Sequence, residues 1–361
     1  MSRRARSEQE QASASAPGGK RRERRVALAL GLLATAVVIA GAEGLTRLLY
    51  WAPPAPYPVC AMPPQGEELY VYDADLFWRP RPHANAGRGY YRTNALGLRD
   101  DEFPKRSEQE RFSVLILGDS PTWGFGVLQE EAYPHVLERL LQEARPGVPI
   151  EVLNGGVCAF STQQSLILER RLFAEFPFDL VVIDNMGSDR HFNLDTGADK
   201  DFVYSALRTR INSLVVHLRL LTFLRDMVMS RSQDPRDTEA RRSVSRVAVE
   251  DYQANLVSMV AEAREHGAQA ILMLPMPLQD TPRERVHRRE AEIEPIYQQA
   301  MREAARSTGV AYLDLPAHMK GRDPGSYYLD TTHPTPMGHR FIAEALRDVV
   351  LPFLDAEFPG R

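Results

Sequence analysis

The chain has 361 residues, 43% hydrophobic and 25% charged, a globular balance with room for one sizeable core. Its formal net charge of -4 excludes a general attraction to nucleic acid. Its two cysteines, Cys60 and Cys158, exclude a disulfide framework and a zinc site. Outside the cytoplasm one bridge between them is open, but two free thiols are expected, since Cys158 falls in what reads as a buried loop.

Residues 1–25 read as a basic cytoplasmic tail without order: Lys20 and several arginines stand among Ser, Ala, Gln and Gly. Val26 to Ala42 carries no charge and is broken only by Thr35. Glu43 interrupts the run, and Leu45, Leu48, Leu49, Tyr50 and Trp51 continue it. A bilayer core needs about 17–25 apolar residues in a helix, so 26–51 is predicted to be a transmembrane signal anchor. Arg21, Arg22, Arg24 and Arg25 hold its start in the cytoplasm, which puts everything after it on the extracytoplasmic, periplasmic side. Tyr50 and Trp51 suit the far interface. Ala40-Gly41-Ala42 has the form of a cleavage site, so secretion after signal-peptide removal is the rival reading. The long basic leader and the apolar residues beyond Glu43 favour the anchor.

Residues 52–111 begin with Pro53, Pro54, Pro56, Pro58, Pro63 and Pro64, a stiff stalk, followed by short strands or turns. Beyond them short apolar runs alternate with longer amphipathic stretches. Strands are predicted at Ser113–Leu117, Ile150–Leu153, Leu180–Ile183, Ala270–Leu274 and Ala311–Leu315. Val136, Leu137, Leu140 and Leu141 share one helical face; Leu166, Leu168, Leu172 and Phe173 share another, as do Tyr252, Leu256, Met259, Val260 and Ala263. Such alternation implies an α/β fold, a parallel sheet covered on both sides with its site in the loops at the carboxyl ends of the strands. Residues 191–245 break the alternation with a helical stretch, Phe202 to Met229, and a charged run, Ser230 to Arg246. They read as an insertion: a packing helix, a lid or a partner surface.

Two fragments carry chemistry. Ile116-Leu117-Gly118-Asp119-Ser120 ends the first strand in a hydroxyl, and Asp330-Thr331-Thr332-His333 packs a carboxylate and an imidazole into one turn's length. Each alone is more often a turn or a helix cap. Together they supply an attacker in Ser120, a proton acceptor in His333 and an orienting carboxylate in Asp330. The α/β-hydrolases share this order. Their elbow is Gly-x-Ser-x-Gly, however, whereas Pro121 and Thr122 follow Ser120 here, and their Asp and His stand on separate loops.

The pattern resembles the SGNH (GDSL-type) hydrolases over roughly Arg111 to Phe353. The resemblance implies a three-layer α/β/α domain over 112–357 with a five-stranded parallel, flavodoxin-like sheet. A segment like Asn94-x-x-Gly97-x-Arg99 precedes the domain in many membrane-anchored relatives, so Tyr90 to Arg99 reads either as part of the domain's wall or as a simple hairpin. Asn154-Gly155-Gly156-Val157-Cys158-Ala159 resembles the family's second block, whose glycine N–H meets the oxyanion. Ala159 takes that position, a role that survives if its φ is negative, and Gly156 is the alternative. The third block departs from the family's Gly-x-Asn-Asp, because Gly187-Ser188-Asp189-Arg190 puts an acid where an amide donates. Either Asp189 is protonated, or it points elsewhere, held by Arg190 with Asn185 substituting, or activity is impaired. An asparagine at 189 is expected to raise turnover.

The expected function is a membrane-tethered serine esterase acting on an acyl ester, acetyl above all, of an extracytoplasmic glycan or lipid. An envelope O-acyltransferase using the same acyl-enzyme is one alternative, and a catalytically silent binding or scaffold protein is the other. Gly124-Phe125-Gly126 lacks the rest of a dinucleotide loop and reads as a turn. No histidine shows metal-ligand spacing, so neither metal nor cofactor is expected, and nothing fixes an oligomeric state.

Overall fold

The computed structural model describes residues 17–49, 69–73, 75–87, 89–103, 111–191, 199, 220, 221, 223, 224, 227, 245–281, 286 and 288–359. Two compact units emerge, 1–55 with 210–233 and 56–209 with 234–361.

In the first unit, helix α1 spans Pro17–Leu49. The expected boundary at Val26 marks where the apolar residues begin, but the helix starts nine residues earlier. Arginine favours helix, nothing between Arg21 and Val26 breaks it, and proline suits a first turn. Arg22–Leu49 is long and apolar enough to cross a membrane, and Leu28, Leu33, Val38 and Leu49 are exposed around it. Glu43, the acid within its apolar part, is answered one turn on by Arg47 at 2.7 Å and also accepts the Leu220 N–H at 2.8 Å. Residues 1–16, residues 50–68 with Cys60 and the proline-rich stalk, and most of the proposed insertion lie outside the described residues.

The second unit is built on a parallel sheet of β5 (Phe112–Gly118), β6 (Ile150–Gly156), β7 (Leu180–Ile183), β8 (Gln269–Leu274) and β9 (Ala311–Asp314), ordered β6-β5-β7-β8-β9. The predicted runs fall on these strands within a few residues. All seven residues of β5 are buried, as a central strand covered on both faces requires.

Alternation divides them between two cores. Leu115 and Leu117 face α4 (Thr162–Phe173), α6 (Val249–Glu265) and α7 (Arg288–Thr308) through Leu172, Leu256 and Met301. Val114 and Ile116 face α3 (Tyr133–Ala144) and the C-terminal α9 (Pro336–Glu357) through Leu137, Leu141 and Leu346. The result is the expected three-layer α/β/α arrangement. After the stretch read as a stalk, where short strands or turns are expected, two hairpins form, β1 (Tyr70–Asp73) with β2 (Phe77–Pro80) and β3 (Asn85–Ala86) with β4 (Tyr91–Arg92). Tyr70, Leu76, Ala86 and Leu98 of this region belong to the first core, so it is a wall of the domain.

Candidate active site

β5 ends at Gly118, where a Cβ would stand 1.9 Å from Thr122 Oγ1. Only glycine lets the chain turn straight into the short helix α2 (Ser120–Trp123), whose first residue is Ser120. Pro121 fits that first turn, where an N–H would lack a partner in any case. Beneath α2, the Thr122 hydroxyl and Tyr133 OH both bond the fully buried Asp184 carboxyl, at 3.1 and 3.0 Å. Burial first, then the neighbouring Asp119 charge, pushes Asp184 well above the usual carboxylate range. Asp184 thus supports the nucleophile's helix from beneath. Asp119 turns from the strand end to Ser188, accepting its N–H at 2.8 Å and its hydroxyl at 2.9 Å.

His333 arrives from the other end of the domain. Asp330 Oδ1 accepts the N–H groups of Thr332 and His333, both at 2.8 Å, folding its own loop, while Oδ2 meets His333 Nδ1 at 2.6 Å. Partial burial raises the Asp330 carboxyl. The bond and charge of His333 and the two backbone N–H groups outweigh this and bring it down to about 2. The ring's other nitrogen, Nε2, stands 2.8 Å from Ser120 Oγ. The structure therefore brings Ser120, His333 and Asp330 into one hydrogen-bonded line across 213 residues of sequence.

The remaining site candidates are placed differently from expectation. Ala159 has φ +60, so the negative φ on which its role was conditioned is not found. Its carbonyl accepts Arg246 Nη1 at 2.6 Å and the preceding carbonyl accepts Trp78 Nε1 at 3.3 Å, which holds the left-handed turn despite the methyl group. Among the described residues the Ala159 N–H has no partner. The Gly156 N–H is taken by Asn154 Oδ1 at 3.0 Å, and a Cβ there would press within 2.6 Å of Thr122. Gly156 thus lets β6 lie close against α2 and is a packing position.

Asp189, in the four-residue helix α5 (Gly187–Arg190), is fully buried, and its Oδ1 accepts the Thr162 N–H at 2.9 Å and hydroxyl at 2.6 Å. It caps α4. It does point elsewhere, but Thr162 rather than Arg190 holds it, and the Asn185 amide donates to Phe160 O at 3.3 Å. The expected gain of turnover from asparagine at 189 accordingly loses its basis.

Two contacts were not legible in the sequence. Phe125, between glycines at φ +82 and +81, lays its ring 4.5 Å from the His333 ring, and Arg99 is buried against the same loop. The paired glycines were the available signal, dismissed as a plain turn. Among the described residues no cluster of His, Cys, Asp and Glu could hold a metal.

Residues 116–341 match the GDSL-like Lipase/Acylhydrolase family. Among solved structures the chain is similar to TesA, at 18% identity over 67% of this chain and 99% of that one, with a TM-score of 0.43. It is also similar to Axe2, an acetylxylan esterase from Geobacillus stearothermophilus, at 19% identity over 67% and 94% with a TM-score of 0.43. The psychrotrophic esterase EstA from Pseudoalteromonas sp. is similar at 14% identity over 67% and 98%, with a TM-score of 0.42. No curated protein matches the chain.

Two variants test the backbone and the buried acid. Ala159→Gly removes a Cβ from a left-handed residue and is expected to stabilise the protein by about 1 kcal/mol, read from denaturation midpoints. Burial raises the Asp189 carboxyl to about 7, against the pull of the Thr162 bonds and of Arg246. The unfolded carboxyl releases its proton near pH 4, so between about pH 4 and 7 the native state binds more protons and stability falls as pH rises. Asp189→Asn removes that slope. Its stability relative to wild type should grow between about pH 4 and 7 and level off above, with turnover unchanged; a pH-independent difference would mean that Asp189 titrates normally.

Proposed function

Because this chain belongs to the GDSL-like lipase/acylhydrolase family, we propose that it hydrolyses its ester through a serine acyl-enzyme built from Ser120, His333 and Asp330. The observation that carries the reading is the continuous line from Asp330 Oδ2 through His333 to Ser120 Oγ, at 2.6 and 2.8 Å. Ser120 Oγ attacks the ester carbonyl as His333 Nε2 takes its proton. Asp330, held ionised by its three donors, keeps the other ring N–H in place and stabilises the imidazolium. His333 returns the proton to the leaving alcohol, and water repeats the cycle on the acyl-serine. The Ser120 N–H is one proposed oxyanion donor; the Ala159 N–H, unpartnered among the described residues, is proposed as the other on that ground, although φ there is positive.

The proposed substrate is a short-chain acyl ester, acetyl above all, of an extracytoplasmic glycan or lipid. A cavity beside the triad is lined by Asp119, Pro121, Asp184, Thr332 and Pro334. The basic leader before a helix able to span a bilayer supports a tethered enzyme with its catalytic unit outside the cytoplasm.

A fluorophosphonate probe tests the nucleophile. Labelling is expected in wild type and lost in Ser120→Ala, while Asp330→Asn lowers kcat by about 10³–10⁴ on p-nitrophenyl acetate. Label retained in Ser120→Ala, or none in pure folded wild type, overturns the reading.

A further inference from the structure

We propose that Arg99, which lies before the family-matched region, is a positioning residue that sets the meeting of Ser120 with His333 through the loop carrying Phe125. The proposal rests on the serine reading above. Arg99 is fully buried, and its guanidinium has no carboxylate partner among the described residues. It donates instead to backbone carbonyls: Trp123 at 3.0 Å, Val127 at 2.8 Å, Tyr90 at 3.2 Å, and Gly124. Its planar face lies 4.7 Å from the Tyr91 ring centroid.

Three of those carbonyls belong to residues 123–127, the loop that closes α2, and this loop reaches both catalytic partners. The Phe125 N–H donates to the carbonyl of Ser120 itself at 3.0 Å, and the Phe125 ring lies on His333. Gly126 is packed so closely on Leu329 that a Cβ would come within 2.6 Å, which joins the loop to the strand of chain leading into His333. Tyr91 OH accepts the Gly126 N–H at 3.3 Å, so the wall segment grips the loop at a second point. A fork that satisfies several carbonyls at fixed angles suits this task, whereas a lysine point charge reaches fewer of them and leaves the rest unbound.

Arg99→Lys and Phe125→Leu, measured on the full chain in detergent with p-nitrophenyl acetate, read the coupling. Each is expected to lower kcat about 10- to 100-fold, because a small misplacement of the dyad is costly, with KM within about threefold of wild type. The double variant should lose no more than the larger single loss, since both changes act on one loop. A folded Arg99→Lys enzyme with wild-type kcat overturns the proposal, and so do losses that multiply in the double variant. If Arg99→Lys fails to fold, Phe125→Leu decides alone: a kcat within about twofold of wild type overturns it. Wild type that takes no fluorophosphonate label would sink the serine reading. Labelled wild type beside unaffected variants would sink only the role given to Arg99.

Discussion

One carboxylate determines whether the two ends of this domain can work together. Asp330 spends one oxygen on the N–H groups of Thr332 and His333 and the other on the imidazole. The loop's shape and the ring's orientation therefore have a single origin, and the three-residue spacing between Asp330 and His333 is what allows it. Longer spacing would need a second group to fold the loop. The pull of three donors also keeps this acid ionised across the neutral range, although burial alone would raise it.

The sheet makes a distant encounter short. Ser120 leaves β5, while the loop carrying His333 follows β9, three strands away and about 14 Å across at ordinary strand spacing. The chain covers this gap on the carboxyl side of β8. Thr331 O accepts the Gln279 N–H at 3.0 Å, and Tyr328 OH donates to Pro277 O at 2.6 Å, so the segment after β8 is a stepping stone toward Ser120. A second bracing comes from the wall formed by the region before the domain, through Arg99 and Tyr91. Both braces act on loops that carry the site beyond the ends of the sheet.

What the sequence made legible was whatever is local or periodic. A fully buried parallel strand must be a continuous apolar run, so β5 and β7 stand out by composition. Asp330 and His333 interact within one turn, and Ser120 follows its strand directly. What escaped reading depends on partners far along the chain. Asp189 looks like a failed oxyanion donor until Thr162, from another helix, is seen against it. The start of α1 escaped for a different reason: hydropathy reports where lipid-compatible side chains begin, and helix propensity carries the backbone further.

The wall on the Ala159 side shows how strain and insertion are linked. Ala159 keeps a conformation that its Cβ disfavours because Arg246 holds its carbonyl. Arg246 is itself fixed by Asp199, at 2.9 Å, and by Gln164, at 2.8 Å, with Trp78 beneath the guanidinium. Its N–H donates to His191 O, and the Val247 N–H donates to Asp189 O, so the two ends of the insertion are pinned to each other and to α5. Apart from Asp199, the described chain of this unit thus stops at His191 and resumes at Ser245 beside α5, and the neighbouring Arg246 holds the Ala159 carbonyl. Arg246 therefore couples the ends of the insertion to the Ala159 backbone, whereas the Asp330 loop is braced from the segment after β8 and from the loop carrying Phe125.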